Sequence, residues 1–463
     1  MFIGRKAEIE SLERAYAQST YQCCMIYGRR RVGKTRLITE FLKGKKHIFL
    51  VSTKDTEEEL LRLFSESVLK QCPLEGNSYV DSFGTWENLF NYIALIARKE
   101  HLIVVIDEFP YLASAVASIA SKLQIYCDHD WKDAGLFLIL SGSSMSFMEK
   151  QIMDYESPLY GRRTMQIKLN PLPYYESIRF FPNWPKEEKL YAYGICGGIP
   201  QYLERFSSYK ALQDAVKYEL LSPNGSLFSE PLALMNEELR EPAVYFAIIR
   251  TIARGKNKLN EIASVVGKES SQLWVYIANM ISLGIIDKSL PIGSNNPKKT
   301  IYVIKDNLFK FYFRFVSENL WLIENNQPEL AYEAIKPYIN DYFGHVFEDI
   351  CKQFLEKMNF SRKLPAIYTK SGSWWGTNNK EKIEEEIDIV LDSESDILVA
   401  ECKWQNEKMG ENILSTLKKR GALVMGEKNI SYALFSKSGF TAQLLNNKSN
   451  DVLLYCIDDL VDL

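Results

Sequence analysis

The sequence is short of the residues that build metal and disulfide frameworks. It holds four histidines, and its eight cysteines (Cys23, Cys24, Cys72, Cys127, Cys196, Cys351, Cys402 and Cys456) are scattered, with no C-x-x-C pair and a histidine close by only at Cys127-Asp128-His129. That spacing argues against a zinc site and against a disulfide scaffold, and matches reduced thiols in a cytoplasmic protein. Long apolar runs are also missing. None reaches the ~20 residues needed to cross a bilayer, so no membrane segment is expected. The start, Met1-Phe2-Ile3-Gly4-Arg5-Lys6, enters a charged helix without a signal-peptide pattern. Nor is there a surplus of one charge. A net charge of −3 gives no global attraction to nucleic acid, so any such contact must come from a local patch. What remains is 463 residues, 46% hydrophobic and 25% charged. This is an ordinary folded composition, long enough for about three domains of ~150 residues.

Against that background Gly28-Arg29-Arg30-Arg31-Val32-Gly33-Lys34-Thr35 stands out. It reads G-x-x-x-x-G-K-T, the phosphate-binding loop of nucleoside triphosphatases. Cys23 to Tyr27 before it is apolar enough for a buried parallel strand. Leu37, Ile38, Phe41 and Leu42 after it recur at helical spacing. Glycines let successive N–H groups point at an anion, and the positive end of a helix dipole adds to the attraction. The expected nucleotide contacts run through the whole turn: Gly28, Arg29, Arg30, Arg31, Val32, Gly33, Lys34, Thr35 and Arg36. Lys34 is expected to reach the β- and γ-phosphates and the Thr35 hydroxyl to bind Mg²⁺.

A second apolar run, Leu102 to Ile106, ends in Asp107-Glu108, at the end of a strand where open α/β sheets place ligands. Asp107 is expected to hold Mg²⁺ through its water shell, and Glu108 to orient and deprotonate the attacking water. A third run, Leu136 to Leu140, stops at Ser141-Gly142-Ser143. Either serine is positioned to sense the γ-phosphate, or the strand simply leaves the sheet through a Ser/Gly turn. Further on, Arg162 and Arg163 sit in a turn after Pro158-Leu159-Tyr160-Gly161. An arginine there would stabilise transition-state charge or lie solvated on a loop.

Together, Phe2-Ile3-Gly4-Arg5, the phosphate loop, Ile106-Asp107-Glu108, Ser141-Gly142-Ser143 and Gly197-Gly198-Ile199-Pro200 resemble the archaeal-type ATPase family, a branch of the AAA+-related STAND NTPases. The resemblance covers roughly residues 1–225. It implies ATP as ligand, a five-stranded parallel sheet with a small helical lid, Gly4, Arg5 and Pro200 bordering the adenine, and Arg162 as the γ-phosphate arginine. It leaves open whether Arg162 reaches its own nucleotide or a neighbour's.

Residues 226–320 read as a separate module. Apolar helices near 241–254, 260–263 and 272–277 lead into a hairpin with a lysine-bearing tip, the order of a winged helix-turn-helix. The candidate recognition helix carries Trp274, Val275, Tyr276 and Ile277 and no cation, so Lys298 and Lys299 of the wing are the better phosphate contacts. DNA binding and protein packing both remain open here.

A third domain is expected over 336–463, starting near Pro337-Tyr338. Glu386-Ile387-Asp388 and Glu401-Cys402-Lys403 alternate as two strands of a hairpin. Period-two geometry sets Glu401 and Lys403 on one face, with Asp388 able to come opposite. Asp388 and Glu401 would share Mg²⁺, and Lys403 would position the attacking water. This arrangement resembles the PD-(D/E)XK restriction-endonuclease-like family, and the resemblance adds Glu348 as the helix-borne acid. The run Lys418-Lys419-Arg420 either holds DNA phosphates or ends a solvated helix. The expected architecture is therefore α/β: a P-loop NTPase sheet with helical lid, a winged-helix-like module and an endonuclease-like domain. Its expected partners are ATP, Mg²⁺ and DNA, with a protein partner or self-association left open.

Overall fold

Five short strands build the first sheet: β1 (Gln22–Tyr27), β2 (His47–Val51), β3 (Leu102–Asp107), β4 (Leu136–Gly142) and β5 (Met165–Lys168). Their order is β2-β3-β4-β1-β5, and every pairing is parallel. The three inner strands are buried at every position, which is why each reads as an unbroken apolar run. The edge strands β2 and β5 are only partly covered. Helices Glu57–Gln71, Trp86–Lys99 and Ile119–Asp128 pack Leu60, Phe64, Phe90, Ile93 and Leu123 into the core against one face of the sheet, around Trp131.

The computed structural model describes residues 2–18, 20–73, 81–152, 154–378 and 381–463. The chain gathers into two units, one of residues 1–171 with 199–201 and one of 172–198 with 202–463. The helix Lys186–Cys196, expected as part of a lid, therefore belongs to the second unit. Among the described residues no helix is long and apolar enough to cross a membrane.

In the second unit, helices Pro242–Ala253, Leu259–Val266 and Ser270–Ser282 precede the antiparallel hairpin β6 (Ile286–Ser289) and β7 (Ile301–Ile304). This is the winged-helix order. Gly267, with φ 72°, closes the middle helix in the left-handed conformation that glycine adopts without a Cβ penalty. Of the aromatic stretch that follows, Phe309, Phe311, Tyr312, Phe313 and Phe315 are buried, whereas Trp321 is exposed.

A domain boundary is expected near Pro337, but a helix crosses it. It spans Pro328–Phe360 and runs straight through the proline. Pro337 and Glu333 are exposed, so the carbonyl left without its partner faces water, which lessens the usual cost of an interior proline. The last sheet has the order β12-β11-β10-β9-β8, formed by β8 (Lys370–Asn378), β9 (Ile383–Asp392), β10 (Asp396–Lys403), β11 (Asn429–Ser436) and β12 (Val452–Cys456). β8, β9 and β10 pair antiparallel; β10, β11 and β12 pair parallel, with the helix Glu411–Gly421 between β10 and β11.

Candidate functional sites

The phosphate loop leaves the C-terminal end of β1 and enters the helix Lys34–Phe41 through Gly33, whose φ of 96° only glycine adopts freely. A Cβ on Gly28 would lie 2.5 Å from the Leu169 carbonyl oxygen, so the turn closes only without a side chain. Arg5, buried, donates from Nη2 to the carbonyls of Val32 (3.1 Å) and Asn170 (2.6 Å). In this conformation it braces the loop. Gly4 precedes it with φ 74°. Pro200 lies over Gly33, its Cγ 3.7 Å from where a Gly33 Cβ would stand. Lys34 folds back on its own loop, with Nζ 2.9 Å from Gly28 O and 3.3 Å from Arg29 O.

Opposite the loop, the Thr35 hydroxyl donates to Asp107 Oδ2 (2.9 Å). Glu108 takes a left-handed φ of 52°, uncommon for a non-glycine residue, as the helix Phe109–Ala115 starts beside it. Its Oε2 accepts from the Ser143 hydroxyl (2.8 Å) and the Ser143 N–H (3.2 Å). The two serines therefore differ: Ser143 is bonded to Glu108, and Ser141 Oγ is buried with no hydrogen-bond partner among the described residues. Lys34, Thr35, Asp107, Glu108, Ser141 and Ser143 thus converge on one edge of the sheet.

Arg162 is not there. Its Nε and Nη2 clasp Asp128 (3.1 and 2.9 Å), the last residue of the helix Ile119–Asp128. The neighbouring Cys127 meets the Tyr21 hydroxyl just before β1, and Thr164 N–H bonds Cys23 O at the start of that strand. The guanidinium therefore belongs to the N-terminal ends of the strands, about 15 Å of strand away from the loop at ~3.3 Å per residue. The part of the expectation in which Arg162 reaches its own chain's γ-phosphate is corrected accordingly; reach toward a neighbour's nucleotide is untouched by this geometry. Arg163 is no substitute, lying over the Tyr160 ring at 5.6 Å.

The second cluster forms across β9, β10 and the helix Pro328–Phe360. Asp388 Oδ2 accepts from the Cys402 N–H (2.8 Å). Lys403 Nζ reaches Glu401 Oε1 at 2.5 Å, and Arg420 bonds both Glu401 Oε2 (3.3 Å) and Glu385 Oε2 (2.7 Å). Burial pushes the Asp388 carboxyl up to about 7, and the charges of Glu401 and Glu348 push the same way. Glu386 is raised as well, by burial and then by Glu348. His345, bonded to Glu348, is raised. The four residues expected to meet, Glu348, Asp388, Glu401 and Lys403, are thus within each other's fields. Arg420, expected to face DNA or solvent, instead turns inward onto two acids. Among the described residues no group of three His, Cys, Asp or Glu side chains is placed to hold a metal ion.

Sequence reasoning missed Tyr111 and Glu386. Tyr111 carries no motif signal, and its contact with the phosphate loop appears only in the fold. Glu386 stood in plain view beside Asp388; of the run Glu384-Glu385-Glu386 it is Glu385 that is the least exposed and pairs with Arg420, while Glu386 is marked by the nearby charge of Glu348.

A parallel sheet with a phosphate loop after β1 and an Asp-Glu pair after β3 defines a P-loop ATPase domain. Residues 2–206 match the model of an ATPase domain predominantly from Archaea. Residues 312–414 match a second model, described as "Archaea bacterial proteins of unknown function". Over 465 residues the chain is 32% identical to the uncharacterized protein MJECL04 of Methanocaldococcus jannaschii, covering 99% of this chain and 100% of that one. It belongs to the same family of archaeal-type ATPases. A shorter likeness, 52% over 46 residues, is to the uncharacterized ATP-binding protein MJ0423 of the same organism (10% of this chain, 78% of that one). Among solved structures, the Walker-type ATPase PABY2304 of Pyrococcus abyssi shares the fold, with a TM-score of 0.54 and 22% identity over 68% of this chain and 96% of that one.

Proposed function

We propose that the protein is an ATP-hydrolysing switch whose first unit governs a Mg²⁺-dependent, DNA-cleaving site of the PD-(D/E)XK type in its second. For the first site the carrying observation is the convergence of Lys34, Thr35, Asp107 and Glu108 on one sheet edge, with the buried, unpartnered Ser141 hydroxyl beside them. The hydroxyl of Thr35 and the carboxylate of Asp107 are hard oxygen donors of the kind Mg²⁺ prefers. Thr35 and Asp107 would hold the ion, which would neutralise phosphate charge when bound. Lys34 would leave the loop carbonyls for the β- and γ-phosphates. Glu108, held through one oxygen by Ser143, keeps the other to take a proton from the attacking water.

For the second site the carrying observation is the acid pair of half-buried Asp388 and buried Glu401, with Lys403 alongside and Glu348 in their field. Two carboxylates suit a Mg²⁺ that keeps several of its waters. A second reading also has support. Both Glu401 oxygens are paired, with Lys403 and Arg420, as in a purely structural cluster. On that reading the protein is a non-catalytic, ATP-gated regulator that binds DNA or protein.

Supercoiled-plasmid cleavage with Mg²⁺ or Mn²⁺, with and without ATP, separates the two. Cleavage by the wild type and its loss in Asp388→Ala, with ATP turnover retained, is the expected result. Equal nicking by both proteins would refute the nuclease. Lys34→Ala tests the first site alone and should abolish ATP turnover.

A further inference from the structure

With Arg162 at the far end of the sheet, a cation that meets the γ-phosphate of its own chain's nucleotide has to come from elsewhere. The phosphate loop itself holds three arginines in a row. Arg29 is buried beneath the turn and Arg31 is exposed. Arg30, half-buried between them, donates from Nη2 to the Tyr111 hydroxyl at 2.9 Å. Tyr111 stands one turn beyond Glu108, and its N–H bonds the Glu108 carbonyl (2.9 Å). The Arg30 guanidinium is therefore held on the Glu108 side of the loop, at the edge where Ser143 fixes that carboxylate. Lys54 lies over the other side of the picture, 5.5 Å from the Tyr111 ring centre. Tyr111 also lines a cleft of about 620 Å³ with Lys54, Asp55, Thr56, Ser114 and Ala115, so it faces open space rather than core.

From this geometry we infer that Arg30 is the arginine that stabilises the transferring phosphoryl group, supplied by the chain's own loop, with Tyr111 as its positioning residue. The inference rests on the ATP-hydrolysing reading of the first site. In the step it serves, the water oxygen forms a bond to the γ-phosphorus. The bond from that phosphorus to the β,γ-bridging oxygen breaks, and its electron pair leaves on ADP. The water proton passes to Glu108, and inorganic phosphate departs. Arg30 neutralises charge that grows on the phosphoryl oxygens and bridging oxygen. Its guanidinium fork matches phosphate geometry in a way a lysine does not.

The test is steady-state ATP turnover, with ADP affinity measured beside it, for wild type, Lys34→Ala, Arg30→Gln, Arg30→Lys and Tyr111→Phe. Arginines in this role are worth ~10³-fold or more in turnover. Arg30→Gln should lose on that order in kcat while its ADP affinity stays within ~3-fold, since the role belongs to the transition state. Arg30→Lys should recover only part of the loss, and Tyr111→Phe should lower kcat without moving KM. Wild-type turnover per chain should not depend on protein concentration. Arg30→Gln with near-normal kcat, or with ADP affinity falling as far as kcat, would overturn the inference. Wild-type turnover no higher than that of Lys34→Ala would overturn instead the reading on which it rests.

Discussion

Asp388 gives the second site a pH signature that can be read before any substrate is known. Its carboxyl rises from the ordinary 3.8 to about 7, chiefly through burial and then through the charges of Glu401 and Glu348. A carboxyl raised on folding binds its proton more tightly in the folded state. Its contribution is complete below about pH 4, drains away as pH climbs from there to 7, and is gone above that. At ~1.4 kcal/mol for each pH unit, the rise amounts to about 4 kcal/mol, spread over that window. Asp388→Asn keeps a carbonyl oxygen for the Cys402 N–H and removes the charge. The variant should therefore match wild type near pH 4 and melt several degrees higher near pH 8 in the metal-free protein. Thermal denaturation from pH 4 to 8, followed by fluorescence and by amide exchange across 386–404, makes the measurement. Added Mg²⁺ should narrow the gap at pH 8 for wild type by favouring the ionised pair. Parallel stability profiles for the two proteins across the whole range would refute the argument, because they would mean that Asp388 is ionised in both folded and unfolded states.

Three further substitutions test other parts of the structure. Gly28→Ala drives a Cβ to 2.5 Å from the Leu169 carbonyl oxygen, so the loop must shift. It should cost about 1–3 kcal/mol of stability, and isothermal titration should show weakened ATP binding. Arg162→Ala removes the pair with Asp128, both side chains being about a third exposed, and an exposed bond to the Tyr160 carbonyl. It should leave ATP turnover within ~2-fold and stability within about 1 kcal/mol; a large fall in kcat would restore the role removed from it here. Gly194→Ala puts a Cβ 2.6 Å from Phe343 Cε2, between the helices Lys186–Cys196 and Pro328–Phe360. It should cost about 1–3 kcal/mol and weaken any ATP dependence of plasmid cleavage more than ATP turnover itself.

The parts of the fold that announce themselves in the sequence are those in which one physical requirement dominates. β1, β3 and β4 are covered on both faces, so they had to be apolar throughout and were legible as strands. The phosphate loop was legible because a close approach of backbone to anion demands glycine at Gly28 and Gly33. β5 and β8 were not visible. β5 is a half-covered edge strand of four residues, and β8 reads Lys-Ser-Gly-Ser-Trp-Trp-Gly-Thr-Asn, with no alternation and a register shift between Gly372 and Trp374. Pro337 suggested a domain boundary because a proline is disfavoured inside a helix, and its exposure explains how the helix runs through it. At the sites, spacing along one strand paired Glu401 with Lys403 correctly, since period two is fixed by the backbone. It gave no hint that Arg420 turns inward or that Arg162 turns away, because neither direction is a property of local sequence.

The two arginines carry the more general point. Both sat in basic turns or helix ends where a solvated cation and a functional one look alike, and both are decided by which acid lies within reach. Arg162 meets Asp128 at the end of the sheet away from its own chain's phosphate loop. Arg420 meets Glu401, and so competes with any metal for that carboxylate. Within the second unit one further helix is tied to both acid-bearing elements. The helix Lys186–Cys196 leads through Gly197-Gly198 into Ile199-Pro200, and Pro200 lies over Gly33. Along the same helix Tyr191 accepts from Trp404 Nε1 (3.0 Å), immediately after Lys403. Tyr193 is bonded to Gln353 and Asp349, immediately after Glu348. The strand and the helix that carry the acids are thus both bonded to the helix Lys186–Cys196 within the second unit.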